Sequence, residues 1–407
     1  MSQTDLPETS YNPFDPETIK EPFSRQAALR AGCPVHFHPD FEPNGFFTFF
    51  RFEEVDSLFR EVDRWSADWG QGPIYVKEGG LKSDPPTHTI YRRLITGAFT
   101  GKRTAAMEPA IAAVANELID GFIDQDVADL MSDFASLLPT IIVARMIGVP
   151  MGDIAAFKTW SDDFMASQNS SDPEVQASAR ARIDDYFRVQ LTQRRAEIAA
   201  SAGDDATLPD DILTSLLLAE HEGRRFADDE LLPLLLLLLV GGNETTASLI
   251  GSLVLRLLDL GLWEEVAADS SKWDVAIEET LRFDPPVLGL FRTAKGDQTV
   301  EGVQIPDEAK VMGLYSSANR DDAVWDDPDT FRLDRDLTKL RSQNMAFGRG
   351  IWLCPAAALA RLEARVSLQL LAERLPGLSL AGEPGRVESF MMWGPTSVPV
   401  KWEKTRS

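Results

Sequence analysis

The chain has 407 residues, carries a formal net charge of −24 and is 44% hydrophobic. This length and apolar fraction favour a globular protein with a large core and exclude a disordered composition. The acidity argues against nucleic acid as a partner, because phosphate contacts need clustered lysine and arginine. Cysteine occurs only at Cys33 and Cys354, so no disulfide framework is predicted.

The first residues contain neither the basic nor the apolar segment of a signal peptide. The most apolar run, residues 234–240, is shorter than the roughly 20 residues that a bilayer span needs. We therefore predict a cytoplasmic protein with no membrane span. No linker divides the chain, which predicts one domain over residues 1–407 with a short flexible N-terminus at about residues 1–15.

The predicted elements are mostly helical. Residues 45–50 are short and aromatic, which favours a strand. Residues 105–122 and 129–146 carry apolar side chains at three- and four-residue spacing, which predicts helices. Short valine-containing segments over 293–312 predict a small sheet, and 389–402 predicts strand and turn. The fold class is therefore mainly α with a minor β component.

A long apolar helix is predicted to begin at Phe226. Acidic residues occupy its first turns, as the helix dipole favours, and it then becomes apolar on every face. Such a helix is buried on all sides and belongs at the centre of the molecule. It continues into Gly241 and Gly242, each of which costs about 1 kcal/mol relative to alanine inside a helix. The pattern leaves two interpretations open: a functional segment with Glu244 and Thr245 beside the glycines, or a helix that ends there.

A second distinctive segment surrounds Cys354. This residue follows a glycine-rich turn and precedes a run of helix formers, and Pro355 is predicted to occupy the first helical position. The free N–H groups and the dipole of a helix N-terminus favour a thiolate. Gly348 and Gly350 would let the backbone pass close to a flat ligand. A lone cysteine is more often an inert buried residue, but turn, glycines and helix start converge here on one sulfur.

This segment resembles the haem-binding motif of cytochromes P450, Phe-Gly-x-Gly-x-His-x-Cys-x-Gly followed by Leu-Ala-Arg. The matching residues are Phe347, Gly348, Gly350, Cys354, Leu359, Ala360 and Arg361. Trp352 stands where the family usually has a histidine that contacts a haem propionate, and its indole N–H could substitute. Ala356 replaces the usual glycine.

Other stretches resemble the family's motifs in the same order along the chain. They are Asp84-Pro-Pro-Thr-His88 with Arg92, Glu279-Thr-Leu-Arg282, Arg292, Ala318–Asp321 and Pro328–Arg335. The resemblance spans residues 84–399 and implies the cytochrome P450 fold, with haem b between the long central helix and the cysteine loop. It further implies a monomer.

The resemblance also assigns roles to individual residues. Cys354 is the implied axial thiolate ligand of the haem iron. The residues implied in cofactor binding are His88, Arg92, Arg292, Phe347, Gly348, Gly350, Cys354 and Ala356. Glu244 and Thr245 are the implied acid–alcohol pair that delivers protons to the co-substrate O2, although Thr245 could instead bond back to a carbonyl four residues earlier. Pro355 has no N–H, so we hypothesise that it leaves the thiolate a stronger donor; alternatively it only starts the helix.

The implied reaction inserts one atom of O2 into a small hydrophobic substrate, an aromatic or a terpenoid, by hydroxylation or O-dealkylation. The pocket residues expected by family analogy are Trp69, Ile74, Leu237, Val240, Gly241, Leu288, Leu290, Met391 and Met392. Since these are apolar, they suit such a substrate, although any one of them could equally be ordinary core.

Electrons are expected from NAD(P)H through a ferredoxin reductase and a ferredoxin, because no flavin or iron–sulfur module is attached. Ferredoxins are generally acidic, so docking needs a basic patch. The candidates are Arg93, Lys102, Arg103, Lys339, Arg341 and Arg349. Two alternatives stay open: a peroxide-driven haem-thiolate enzyme, and a haem-binding sensor without turnover.

Overall fold

The computed structural model describes residues 11–41, 44–77, 79–167, 173–201 and 203–404. Of the predicted flexible N-terminus, residues 1–10 lie outside this part. Tyr11 is buried and packs edge-on against the ring of Phe50, with 5.3 Å between the ring centroids. Among the described residues, packing against the body of the protein begins at Tyr11.

Helices dominate the described residues. The α-helices are α1 Pro16–Lys20, α2 Phe23–Gly32, α3 Phe52–Arg60, α4 Thr87–Thr96, α5 Gly101–Ala106, α6 Glu108–Asp120, α7 Leu137–Ile147, α8 Ile154–Ser167, α9 Pro173–Ala200, α10 Ile212–Leu218, α11 Asp228–Asp259, α12 Trp263–Ala267, α13 Trp273–Phe283, α14 Tyr315–Ala318, α15 Leu337–Gln343 and α16 Ala357–Arg374. Short 3-10 turns cover Gly80–Lys82, Met151–Asp153, Asp205–Thr207, Ser270–Lys272 and Gly350–Trp352.

The strands are short. They are β1 Val35–His38, β2 Phe46–Phe49, β3 Trp65–Ser66, β4 Ala128–Asp129, β5 Glu220–His221, β6 Arg224–Arg225, β7 Gly289–Ala294, β8 Gln298–Val300, β9 Val303–Ile305, β10 Lys310–Leu314, β11 Ser379–Leu380, β12 Gly385–Arg386, β13 Pro395–Ser397 and β14 Pro399–Lys401. The largest sheet has the order β1-β2-β10-β7-β3, in which only β2 and β10 run parallel. The predicted mainly helical fold with a minor sheet is confirmed.

Helix α11 is the centre of the fold, as its composition predicts. Three of its acidic residues, Asp228, Asp229 and Glu230, lie in the first turn, and the Glu230 carboxylate accepts a hydrogen bond of 2.8 Å from the Ala227 N–H. By length and composition α11 could cross a bilayer, with a mean hydropathy of 1.5 over its most apolar window, but 56% of that window is buried inside the fold. It packs against α7, α9, α13 and α16 and is a core helix.

The two glycines do not end this helix, so the interpretation that they begin a loop is wrong. A Cβ atom at Gly242 would lie 2.8 Å from Cγ2 of Val143. Glycine there allows α7 to approach α11 closely, and this contact outweighs the intrinsic cost of glycine in a helix. At Gly241 the nearest atom to such a Cβ would be Cδ1 of Leu237, at 3.7 Å. Gly241 therefore leaves space beside the helix.

One predicted helix is divided. Residues 129–146 begin at the end of β4, continue through a π-helical turn at Met131–Ala135 and become helical only in α7. The N–H of Ser136 donates to the carbonyl of Met131, five residues earlier, at 3.0 Å. A π-turn of this kind places one extra residue in the helix without disturbing the apolar spacing on either side.

The Glu279–Arg282 pair is a core feature of the fold. Both side chains are 0% exposed, and Arg282 donates from Nε and Nη2 to the two carboxylate oxygens at 2.8 Å each. Arg335 adds a third contact to Glu279 at 2.9 Å. The remaining Arg282 N–H groups donate to carbonyls of Asn319 and Pro328. This network joins α13 to the segment that leads to Cys354.

Replacing Glu279 by glutamine should destabilise the protein by about 3 to 5 kcal/mol, because two buried guanidinium groups would lose their carboxylate. Denaturant unfolding of the purified protein measures this. Glu17→Gln is the matched control, since Glu17 and Lys20 form the same kind of pair on a helix with both side chains 68% exposed. Equal effects of the two substitutions would contradict a core role for Glu279.

Candidate active site

A cavity of about 240 Å³ lies between α11 and the segment that contains Cys354. The predicted cofactor residues His88, Arg92, Arg292, Phe347, Gly348, Cys354 and Ala356 all line it. Gly350 does not line the cavity. Its φ is +64°, and a Cβ there would lie 2.6 Å from the carbonyl oxygen of Phe59, so Gly350 serves the close approach of this loop to α3.

The turn before Cys354 is fixed by its own backbone. The N–H of Cys354 donates to the carbonyl of Phe347 at 2.9 Å, and the N–H of Gly348 donates to that of Met345 at 2.8 Å. Gly348 has a φ of +74°, a left-handed backbone conformation that residues other than glycine rarely adopt. The sulfur of Cys354 is thereby presented to the cavity.

The prediction that Pro355 is the first helical residue is wrong, because α16 begins at Ala357. The first residues of α16 nevertheless act on the Cys354 sulfur through their backbone N–H groups. Burial raises the pKa of the Cys354 thiol, whereas hydrogen bonds from the N–H groups of Ala356 and Ala357, and the charges of Arg92 and Arg361, lower it. Two backbone donors therefore favour the thiolate, and Pro355 contributes none.

Three of the cationic or titratable side chains that line the cavity are predicted cofactor residues. Arg292 is 1% exposed, and burial lowers its pKa to about 10, so it stays cationic at neutral pH. Burial, with Arg92 and Arg292 nearby, lowers the pKa of His88 to about 4, so this imidazole is neutral there. Arg92 donates from Nη1 to the carbonyl of Leu353 at 2.6 Å, which attaches α4 to the cysteine segment.

These residues fit a haem. Arg292 Nε has no hydrogen-bond partner within the part of the chain that the structure describes, although the group is buried. An unsatisfied buried N–H on a cation calls for an anionic acceptor, and haem carries two carboxylates. The Cys354 sulfur, with its backbone N–H donors, completes the donor set, and most of the remaining lining is apolar.

Trp352 lines the cavity, but its indole N–H points elsewhere. Nε1 donates to the carbonyl of Ser83 at 3.2 Å. In this arrangement the indole N–H is engaged by Ser83 and is not offered to the cavity.

The predicted acid–alcohol pair is divided between two environments. Thr245 lines the cavity and donates from Oγ1 to the carbonyl of Gly241 at 2.7 Å, which is the back-bonding alternative. Glu244 is half-buried and faces α8 instead. Burial, with a smaller contribution from the charge of Asp162, raises its pKa to about 7, and the charge of Lys158 opposes both. Lys158 and Asp162 are themselves paired at 2.6 Å.

Only part of the predicted substrate pocket lines the cavity. Leu237, Gly241 and Leu290 do. The residues that do not are Trp69, Ile74, Val240, Leu288, Met391 and Met392.

Each of these misses has a physical reason. The Ile74 side chain is 56% exposed, and the ring of Trp69 packs under the Lys77 ammonium at 4.5 Å. Leu288 donates its N–H to the carbonyl of Met391 at 2.7 Å, and that methionine packs into the cluster under the first strands. Val240 packs into a helical core cluster, and Met392 forms a backbone bridge with Val287, which itself lines the cavity.

Much of the apolar lining was not predicted from the sequence. Phe99, Val143, Ile147, Ile212, Leu249 and Tyr315 line the cavity. Val143 and Ile147 share one face of α7, a spacing that also describes ordinary core, so the pattern carried no distinguishing signal. Gln71 and Lys82 add polar groups to the same wall.

The comparisons with known proteins agree with this geometry. A family model described as Cytochrome P450 matches residues 273–375. Cytochrome P450 107B1 of Saccharopolyspora erythraea is 36% identical over 350 residues, which cover 84% of this chain and 82% of that protein. The chain belongs to the cytochrome P450 family.

Further relatives extend the match over most of the P450 chain. The steroid C26-monooxygenase of Mycolicibacterium smegmatis is 34% identical over 79% of this chain and 78% of that protein. The solved structure of CYP109E1 from Bacillus megaterium in complex with corticosterone has a TM-score of 0.80 at 30% identity, covering 95% of this chain and 99% of that one. The fold is that of a cytochrome P450, and the family uses haem with an axial cysteine, and O2, as monooxygenases.

The raised pKa of Glu244 predicts a pH dependence of stability. In the unfolded chain Glu244 releases its proton at the ordinary pKa of 4.5, whereas in the folded protein it keeps the proton up to a pKa of about 7. The free energy of unfolding therefore falls as pH rises from 4.5 to about 7. Glu244→Gln removes this ionisation, and its denaturant stability should fall less steeply over the same range. Glu17→Gln, at an exposed site, is the control. Parallel pH profiles for the parent and Glu244→Gln would contradict the raised pKa.

Proposed function

We propose that this P450 inserts one oxygen atom into a small hydrophobic substrate, aromatic or terpenoid, with electrons from NAD(P)H through ferredoxin reductase and ferredoxin. The observation that carries the proposal is one cavity that contains the Cys354 sulfur, buried Arg292, Thr245 and an apolar wall. Such chemistry needs a sulfur ligand for iron, a cation that binds the haem carboxylates, a hydroxyl group and an apolar substrate pocket. We also propose that the chain forms a single P450 domain.

Haem bound in this cavity would supply the activation of O2 by two electrons. Cys354 would bind its iron through the sulfur, and Arg292, Arg92 and His88 would hold its carboxylates. Arg292 is the strongest candidate because its Nε has no hydrogen-bond partner within the described residues. Phe347, Gly348 and Ala356 form the wall on the sulfur side.

Thr245 and Glu244 are proposed to move protons toward the cavity. The Thr245 hydroxyl donates to Gly241, so its oxygen remains free to accept from water in the cavity. Rotation about its C–O bond would redirect the proton inward. Glu244 lies one residue away with a pKa of about 7, so it can both take and release a proton at neutral pH. Its position against α8 places it on the side away from the cavity.

The lining supports an apolar substrate. Phe99, Val143, Ile147, Ile212, Leu237 and Leu249 present only hydrocarbon, so burial of nonpolar surface would drive binding. Gln71 and Lys82 are the polar groups that could orient one oxygen-bearing end of a ligand. The relatives include a steroid C26-monooxygenase and a structure with bound corticosterone, so steroids belong in a substrate screen.

A cytoplasmic location is part of the proposal. Cys33 is a free, buried thiol, and Cys354 is free to bind iron. Unpaired thiols fit a reducing compartment.

The carbon monoxide spectrum of the dithionite-reduced protein tests the haem-thiolate site. We expect a strongly red-shifted Soret band, which indicates thiolate ligation. Turnover with NAD(P)H, ferredoxin and reductase should then give product. Activity with hydrogen peroxide alone would identify the peroxide-driven alternative, and a thiolate spectrum with no turnover by either route would identify a sensor. A protein that binds no haem would overturn the proposal.

The proposed ferredoxin site differs from the patch expected from the sequence. Arg349 is unsuitable, because its side chain is 11% exposed, lies 3.4 Å from Asp56 and donates to the carbonyl of Ser342. Arg103 and Arg341 are paired with Asp210 and Asp274.

Of the other three candidates, Lys339 is half-buried, with its ammonium 5.7 Å from the centroid of the Trp325 ring. The two exposed cations that remain are Arg93 and Lys102. Arg93 follows Arg92, which bonds to Leu353, and Lys102 lies in α5, which packs against α16. Leu353 is itself 46% exposed, so an apolar contact adjoins these charges.

Charge reversal at Arg93 and Lys102 together should slow reduction by an acidic ferredoxin about tenfold at low salt, because such charges act mainly on association rates. Stopped-flow reduction at several salt concentrations measures this, and the difference should shrink as salt rises. Arg225→Glu, an exposed arginine on the β5–β6 hairpin, is the control. Equal rates for the double variant and the parent would exclude this surface.

A further inference from the structure

The guanidinium of Arg292 lies between two aromatic rings. Its central carbon is 4.7 Å from the centroid of the Phe59 ring and 4.6 Å from that of the Trp352 ring. Both distances fall within the range of cation–π attraction. Phe59 comes from α3 and Trp352 from the 3-10 turn two residues before Cys354, so two separate segments contribute the rings.

Polar contacts hold Arg292 only in part. Nη1 donates to the carbonyl of Phe291 at 2.8 Å, and Nε has no hydrogen-bond partner within the described residues. A buried cation with an unsatisfied N–H is costly, and a flexible side chain would normally turn toward any available acceptor. Here the two rings restrict the plane of the guanidinium, so the group keeps a fixed orientation in the cavity wall.

Trp352 is itself held in place. Its indole N–H donates to Ser83 at 3.2 Å, and its ring lies 5.8 Å from that of His88. The Trp352 N–H is therefore engaged, and what this residue presents toward Arg292 is its ring. A ring in this position acts on the cation, not on the cation's anionic partner.

We propose that Trp352 and Phe59 are positioning residues that clamp Arg292 for one haem carboxylate. In this chain the residue at position 352, where the family usually has a histidine, acts through Arg292 instead of contacting the carboxylate. The inference rests on the haem site of the proposed function. It assigns to Trp352 and Phe59 an effect on haem retention and on the electrostatics of the haem edge.

The test compares three variants of the holoprotein: Trp352→Ala removes one ring, Trp352→Phe keeps a ring and removes the N–H, and Phe59→Leu removes the other ring. Trp402→Ala is the matched control, since Trp402 is half-buried and packs on the Phe122 ring at 5.6 Å, away from the cavity residues. The rate of haem transfer to excess apomyoglobin measures retention. Spectroelectrochemical titration gives the haem reduction potential, which a purely structural role would leave unchanged.

Trp352→Ala should release haem about tenfold faster than the parent, because a desolvated cation–π contact is lost. Its potential should move to more negative values, since a loosened cation stabilises the added electron less. Phe59→Leu should shift both quantities in the same direction, and Trp352→Phe should restore most of both. Trp402→Ala should match the parent.

Two results would overturn the clamp. If Trp352→Phe behaves like Trp352→Ala, the indole N–H and not the ring is what matters. If Phe59→Leu and Trp352→Ala both keep the parental rate and potential, the rings do not act on Arg292. Should Trp352→Ala fail to fold, Phe59→Leu and Trp352→Phe decide the question by themselves. A parent that shows the thiolate spectrum while its variants are unchanged refutes only the clamp, whereas a parent without haem refutes the proposed function as well.

Discussion

The carboxylate of Glu279 is the contact on which the geometry of the cysteine segment depends. Arg282 and Arg335 both donate to it, and so does the backbone N–H of Arg332 at 2.9 Å. One buried anion thereby joins α13 to a chain segment about fifty residues later, which lies between α14 and α15 and has no regular secondary structure of its own. Without this carboxylate the guanidinium groups of Arg282 and Arg335 would be buried with no compensating anion. The three side chains therefore act as a unit.

A second polar network continues from this point to the sulfur. Asn319 donates from Nδ2 to Oδ1 of Asn344 at 3.0 Å and accepts from the N–H of Met345 at 2.8 Å. Asn344 in turn donates to the carbonyl of Glu278 at 3.1 Å. Met345 then accepts from Gly348, where the left-handed turn before Cys354 begins. The position of the sulfur is thus set by a chain of buried hydrogen bonds, each of which would be costly to leave unmade.

The sequence predicted what depends on local pattern and on contiguous motifs. The long central helix followed from its apolar faces, and the sulfur site followed from a glycine turn beside a run of helix formers. The limits come from tertiary contacts. The helix continues through Gly242 because Val143 of another helix needs the space, and no local propensity contains that information. In the same way, Ile74 is apolar but points to solvent, whereas Phe99 lines the cavity.

Charge was also predictable only in part. The chain has a net charge of −24, yet two cations, Arg292 and Arg92, face one interior cavity. The acidic residues lie mostly on the surface. Cysteine-ligated haem brings negative charge from a thiolate and two carboxylates, so a local excess of cations offsets it regardless of the total. In the proposal, two residues near the sulfur bear on this balance. Pro355 has no N–H to donate, while Ala356 and Ala357 donate two, and Trp352 presents a ring to Arg292. Pro355 and Trp352 would therefore change how the charge of the cofactor is balanced, and neither changes the ligand itself.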